Sequence, residues 1–328
     1  MSVPALDAAL AAGDLDELVR WVDRLVGAGD WDALVELGRL SRSAFERSGH
    51  QLWPITSQVE YRLALEAPAA WAASTVAEGS GRFALGPLPE VAASTHSWAE
   101  LVPHLAPGRA AGLVAHERVL RGEAVADGSP WGTDVLEVPL VLQPWESDYT
   151  VATYRADGAD FPSPALPALV PRPLPSPGTP VDDADAPAAL AALVEPWVVE
   201  SNGAVKVVAV RGTAEAAIAA LGAGAARTAE IGPGPALATM AWAGASGGAY
   251  GRRRGAAVGR FGAWWALAAL AGVLDDWPLP PDDLGAAAQE LRWLYWAPEG
   301  AATGWSLHLA VEDPEEGLSW AVAATDHS

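Results

Sequence analysis

Four glycines, Gly247, Gly251, Gly255 and Gly259, recur at intervals of four, with Ala243 before them and Ala263 after. Spacing of four keeps residues on one side of an α-helix. Glycine in a helix interior costs about 0.5–1 kcal/mol relative to alanine, so such a stripe persists only where close approach of another element offsets the loss. The pattern predicts a helix running through 244–262 and pressed against a neighbouring helix or sheet, with a ligand or partner helix in the groove as the sharper alternative. Beside the stripe sit Arg252, Arg253, Arg254 and Arg260. Three consecutive arginines fan over about 200° of a helix and cannot serve one contact. Pairing with Asp275, Asp276, Asp282 or Asp283 is the plain expectation for them, and an anion site for a phosphate or an acidic partner the functional one.

The beginning of the chain carries a different signature. The nine residues Ala12 to Arg20 recur as Ala28 to Glu36, six of nine identical at an offset of 16. In each copy a glycine can close one helix and an aspartate can cap the next. Helical spacing continues over about 52–66, 68–78, 97–105 and 109–121, a succession that suits stacked helical hairpins. After Gly122 the pattern turns extended, with strands expected over 134–143 and 148–155, the first of them an edge or broken strand because of Pro139. Residues 162–180 hold eight prolines in 19 positions and read as a semi-rigid spacer.

Beyond residue 188, Asn202-Gly203 between 197–201 and 204–210 predicts a hairpin turn. Thr213 caps a helix ending near Gly222, 226–231 returns as a strand, and 291–297, 305–311 and 318–324 alternate as a three-stranded meander. Trp305, Leu307, Leu309 and Val311 share one face of the middle run, leaving His308 on the other. Trp293 and Trp296 fall on opposite faces of their strand, so both faces are apolar. The fold class expected is α+β: a helical-hairpin array over 1–125, a strand-rich segment over 126–161, a Pro-rich linker over 162–187, and an α+β domain over 188–328 whose mixed or antiparallel sheet packs with long helices.

Composition removes several functions. With 41 acidic against 20 basic residues the formal charge is −21, which opposes general nucleic-acid binding. The absence of cysteine excludes disulfides, thiol catalysis and cysteine-bound metals. The first 25 residues are acidic where a secretory signal would be basic then apolar, so a cytoplasmic protein is expected. The apolar stretch 255–274 is interrupted by Arg260, and the remaining 14 residues fall short of the roughly 20 that a membrane span requires.

Catalytic patterns are sparse. Gly244-Ala245-Ser246-Gly247-Gly248 matches the G-x-S-x-G nucleophile elbow, with Asp275 or Asp276 and then His308 following in the order a hydrolase triad needs. An elbow, however, requires a strand before the serine, and the residues before Ser246 read as helix. His116-Glu117 starts an H-E-x-x-H pattern that ends on Leu120 instead of histidine, so no zinc site is expected. Glycine-rich nucleotide loops in a strand-to-helix setting are missing, and no cofactor is implied. The reading that follows is a non-enzymatic, acidic cytoplasmic protein that binds a protein partner or itself, as an adaptor, scaffold or regulator. Its alternative is a hydrolase using Ser246, or an enzyme handling a small anion at Arg252 to Arg254.

Overall fold

Asp14 and Asp30, the heads of the repeated motif, each accept a backbone N–H from three residues on: Glu17 at 3.0 Å and Ala33 at 3.2 Å. They thereby start α2 (Leu15–Ala28) and α3 (Trp31–Arg42), and Gly29 in the left-handed conformation, φ 64°, closes the first of these. The computed structural model describes residues 4–77, 79–125, 135–300 and 304–327. The chain divides into two units, Met1–Gly132 with Ala152–Asp160, and Thr133–Val151 with Phe161–Ser328.

The first unit continues the helical succession. α1 (Pro4–Ala12) precedes the capped pair, and α4 (Ala44–Ser48), α5 (Trp53–Glu66), α6 (Ala69–Thr75), α7 (Leu88–Thr95), α8 (Trp98–Leu101) and α9 (Arg109–Leu120) follow. Leu18, Val22, Leu34, Leu37, Ile55 and Val59 bring α2, α3 and α5 into one apolar core. Gly38 allows α3 to approach α5, since a methyl there would stand 2.9 Å from Val59. A small hairpin, β1 (Thr153–Arg155) and β2 (Gly158–Asp160), completes the unit. It is held by the Tyr61 hydroxyl donating to the Arg155 carbonyl at 2.6 Å and the Tyr154 hydroxyl donating to buried Glu90 at 2.6 Å.

The second unit is a seven-stranded antiparallel sheet with helices against it, and the class is α+β as the sequence predicts. In chain order it comprises β3 (Val170–Pro173), β4 (Thr179–Pro180), α10 (Asp185–Leu193), α11 (Glu195–Val199), β5 (Ala204–Arg211), α12 (Ala214–Ala220), β6 (Ala225–Ile231), α13 (Pro233–Ala245), α14 (Ala256–Leu270), α15 (Pro281–Glu290), β7 (Arg292–Pro298), β8 (Trp305–Asp313) and β9 (Leu318–Asp326). The sheet order is β3-β6-β7-β8-β9-β5-β4. The meander β7-β8-β9 is the expected one, and Thr213 caps α12 through the Ala216 N–H. No helix among the described residues is long and apolar enough to cross a membrane.

Three expectations are corrected. The Pro-rich stretch is no spacer: it supplies β3 at one rim of the sheet and β4 at the other. Proline suits a rim because it cannot donate to a further strand, and Pro171, Pro173 and Pro180 all lie there. Asn202-Gly203 makes no hairpin turn, because 195–199 is helical and the Gly203 N–H returns to the Trp197 carbonyl at 2.8 Å. Residues 135–151 form turns and bends, of the two expected strands only 153–155 is one, and 126–134 of the expected strand-rich segment lies outside the described residues.

The rim strands also fix the curvature of the sheet. From Pro173 to Thr179 the chain takes six steps, a reach of roughly 20–22 Å when fully extended. Two rims of a flat seven-stranded sheet would stand roughly 29 Å apart. The sheet must therefore twist and curl until its corners approach. What fills the curl is α12, five of whose seven residues are alanine. Leu174 packs into the cluster that α12 forms with Val210, Leu294, Trp296, Ala310 and Ala321, and the Gly178 N–H donates to the Ala216 carbonyl at 3.3 Å. The connector thus crosses over α12, which is built small enough to lie between strap and sheet.

Candidate functional site

The serine elbow does not form. Ser246 follows the helix α13 instead of a strand, is buried, and its hydroxyl accepts the Gly248 N–H at 2.9 Å. Asp275 and Asp276 lie in a short turn beyond the far end of α14, whose 15 residues carry them roughly 22 Å from its start beside Ser246. His308 is removed from both. It shares strand parity with Ala310, on the α12 face, whereas Trp305 on the opposite parity stacks on Trp242 of α13. Its imidazole packs edge-on against Trp296 at 4.7 Å, and burial pushes its pKa down to about 4, so it is neutral at physiological pH. Among the described residues no group of three or more His, Asp or Glu side chains could hold a metal ion.

The glycine stripe is a place of close approach, but on two helices and a loop. Left-handed backbone at Gly248, φ 73°, and Gly255, φ 98°, interrupts the helix, so Gly247, Gly251 and Gly255 belong to the turn between α13 and α14. There the chain folds on itself: a methyl on Gly247 would stand 2.2 Å from the Gly251 carbonyl oxygen. Gly259 lies on α14 against α13, where a methyl would come within 2.1 Å of the Ala241 carbonyl oxygen. The small residues thus serve the crossing of two helices and leave no groove for a ligand.

The four arginines do not converge on one anion either. Arg260 is fully buried and pairs with buried Glu146 at 2.7 Å, not with the aspartates after α14. The Arg252 backbone N–H donates to Glu200 at 3.0 Å, and the Arg253 guanidinium lies 4.7 Å above the Phe161 ring. Arg254 reaches the Ala192 carbonyl at 3.3 Å, and burial holds its pKa below that of a free guanidinium.

A site that no spacing rule announces lies in the first unit. Between α3, α5 and the turn at 79–83 opens a groove of about 720 Å³. Phe45, Trp53 and Phe83 ring it at 59%, 46% and 48% exposure, three of the four exposed aromatic side chains among the described residues. Trp53 and Phe83 lie against one another with ring centres 3.9 Å apart. The floor is polar. Glu60 accepts from Arg42 and from the Gly81 N–H at 2.7 Å, so one carboxylate ties α3 and the 79–83 turn to α5 and fixes the shape. The buried Ser41 hydroxyl, which lines the groove, has no hydrogen-bond partner among the described residues. Arg42 and Arg82 stand at the mouth, and among the described residues that line it Glu60 is the only carboxylate, so these residues give the opening a locally cationic balance on an acidic chain.

Such a wall takes an apolar side chain while the rim keeps polar main chain wet. The sequence signal was faint: each aromatic stands beside a turn, near Gly49, Pro54 and Gly81, where helical periodicity says nothing about exposure. Comparison with known proteins finds the profile of a family of unknown function (DUF6183) over residues 16–328. No curated protein and no solved structure matches the chain.

Proposed function

The chain belongs to the DUF6183 family, and we propose that it is a cytoplasmic interaction protein whose helical unit receives a segment of another protein in the groove between α3, α5 and the 79–83 turn. The observation that carries this reading is the gathering of Phe45, Trp53 and Phe83, exposed, around a floor already shaped by Glu60. Exposed aromatics in one place are costly to leave in water and are enriched where proteins bind proteins. The occupant is an extended or helical segment with one aromatic or large aliphatic side chain for the ring of aromatics and an acidic residue for Arg82. The cationic mouth supports that charge, since an acidic rim would repel it.

Selection of a displayed peptide library against the full chain tests this. The expected consensus is an apolar anchor next to Asp or Glu. Trp53→Ala with Phe83→Ala should weaken the selected peptide by more than about thirtyfold, the effect of losing a binding hot spot of about 2 kcal/mol. Binding that survives both substitutions would overturn the reading. Native mass spectrometry of the protein from its own host gives the companion result: a homodimer dissolved by the same substitutions would seat a second copy of the chain in the groove in place of a separate partner.

A further inference from the structure

A second cavity, of about 440 Å³, opens within the unit that carries the sheet. Four aromatic rings wall it from four stretches of chain: Phe161 ahead of β3, Trp242 on α13, Tyr295 on β7 and Trp305 at the start of β8. The walls are built in advance. Trp242 and Trp305 stack at 5.2 Å with 22° between planes, and fully buried Trp197 lies against both, at 6.1 and 6.5 Å. Phe161 is held by the Arg253 guanidinium over its ring.

The chemistry of the lining selects a ligand class. No charged side chain is among the described residues that line the cavity, so an ion entering it would lose hydration without an ion-pair partner on the walls themselves. The hydroxyls among the described lining residues are those of Ser163, Thr239, Tyr295 and Ser306, and Thr239 already donates to the Pro235 carbonyl at 2.8 Å. The Tyr295 hydroxyl has no hydrogen-bond partner among the described residues, and burial raises its pKa, so at neutral pH it keeps its proton to donate. Ring walls favour planar partners through stacked and edge-on contacts, and the volume lies in the range of small-molecule sites. We infer that this cavity binds a neutral, planar aromatic small molecule carrying an acceptor for the Tyr295 hydroxyl.

The probe is 7-amino-4-methylcoumarin, a neutral two-ring molecule with a carbonyl acceptor, titrated into the full chain and followed by energy transfer from tryptophan. The expected result is saturation at one equivalent. Tyr295→Phe, which keeps the ring and removes the hydroxyl, should weaken binding roughly threefold to tenfold. Phe161→Ala should weaken it about tenfold by removing one wall. The same coumarin bearing an acetate group should bind at least about tenfold more weakly, because no charged side chain among the described lining residues pairs with its carboxylate. Phe83→Ala, in the groove of the other unit, should leave the titration unchanged. Absence of saturable binding to protein with native circular dichroism would overturn the inference. So would a Tyr295→Phe titration identical to the parent's, or equal affinity for the charged coumarin. If Phe161→Ala fails to fold, the isosteric Tyr295→Phe and the charged probe still decide the matter.

Discussion

Replacing Glu146 by glutamine changes almost no volume and tests what holds residues 135–151 in place. These residues have no helix or strand of their own, so their position depends on side chains. The Glu146 carboxylate accepts from Arg260 Nε at 2.8 Å and Nη2 at 2.7 Å, from Trp264 Nε1 at 2.9 Å, from the Gln143 N–H at 2.8 Å and from the Tyr149 hydroxyl. Two further Arg260 donors go to the carbonyls of Pro139 at 2.7 Å and Val141 at 3.0 Å. In Glu146→Gln the buried guanidinium loses its counter-charge, and an amide N–H₂ is brought toward a ring of donors. Breaking a buried pair from one side costs about 3–5 kcal/mol, a large share of the roughly 5–15 kcal/mol that holds a domain folded. Tyr149→Phe, which removes one donor of five, should cost only about 1 kcal/mol. Guanidinium chloride unfolding followed by near-ultraviolet circular dichroism measures both, and amide exchange over 135–149 should accelerate most in Glu146→Gln. A loss below about 1 kcal/mol for Glu146→Gln would refute the argument. The pH dependence follows in sign. Burial alone would raise the Glu146 pKa, but hydrogen bonding and attraction from Arg260 outweigh it and hold the carboxyl below its ordinary value. Its stabilisation is therefore complete above the unfolded pKa of about 4.3 and is lost as pH falls through the folded value, an acid limb that Glu146→Gln should lack.

Two further outcomes are expected. His308 has a folded pKa of about 4 against an unfolded value of 6.5, so the unfolded chain binds the extra proton between them. Stability should fall by roughly 3 kcal/mol as pH drops through that window, and His308→Leu should remove this component from urea midpoints measured between pH 7 and 4. Gly259→Ala should lower the melting temperature by forcing α14 off α13, at about 1–3 kcal/mol or more. Gly27→Ala, in a helix with nothing within 4 Å of the new methyl, should raise it slightly, by up to about 1 kcal/mol. Equal effects from the two glycine substitutions would contradict the packing described.

Local signals were legible wherever one residue decides one hydrogen bond or one face. Asp14, Asp30 and Thr213 cap the helices expected of them, and the alternation of β8 places Trp305 and His308 on opposite faces as read. Signals that depend on distant chain were misread. Gly247 and Gly251 keep helical spacing, yet φ at Gly248 and Gly255 breaks the helix, and spacing cannot reveal φ. The prolines of 162–180 have the composition of a spacer, but β5 and β6, which follow in sequence, recruit them as rims. The groove around Trp53 and Phe83 escaped notice because exposure of an aromatic is a property of its neighbours, not of its period.

The order in which the sheet is laid down differs from the order in which it is synthesised. Both rims, β3 and β4, leave the ribosome before any strand they border, and β9, which joins β8 to β5, comes last of the nine. Without β9 the sheet would separate into a four-stranded piece, β3-β6-β7-β8, and a two-stranded piece, β5-β4. A nascent chain paused before Leu318 would therefore hold two incomplete fragments with unpaired edges, the state most open to chaperones and to misassembly. The strand that locks the arch is made after every strand it locks.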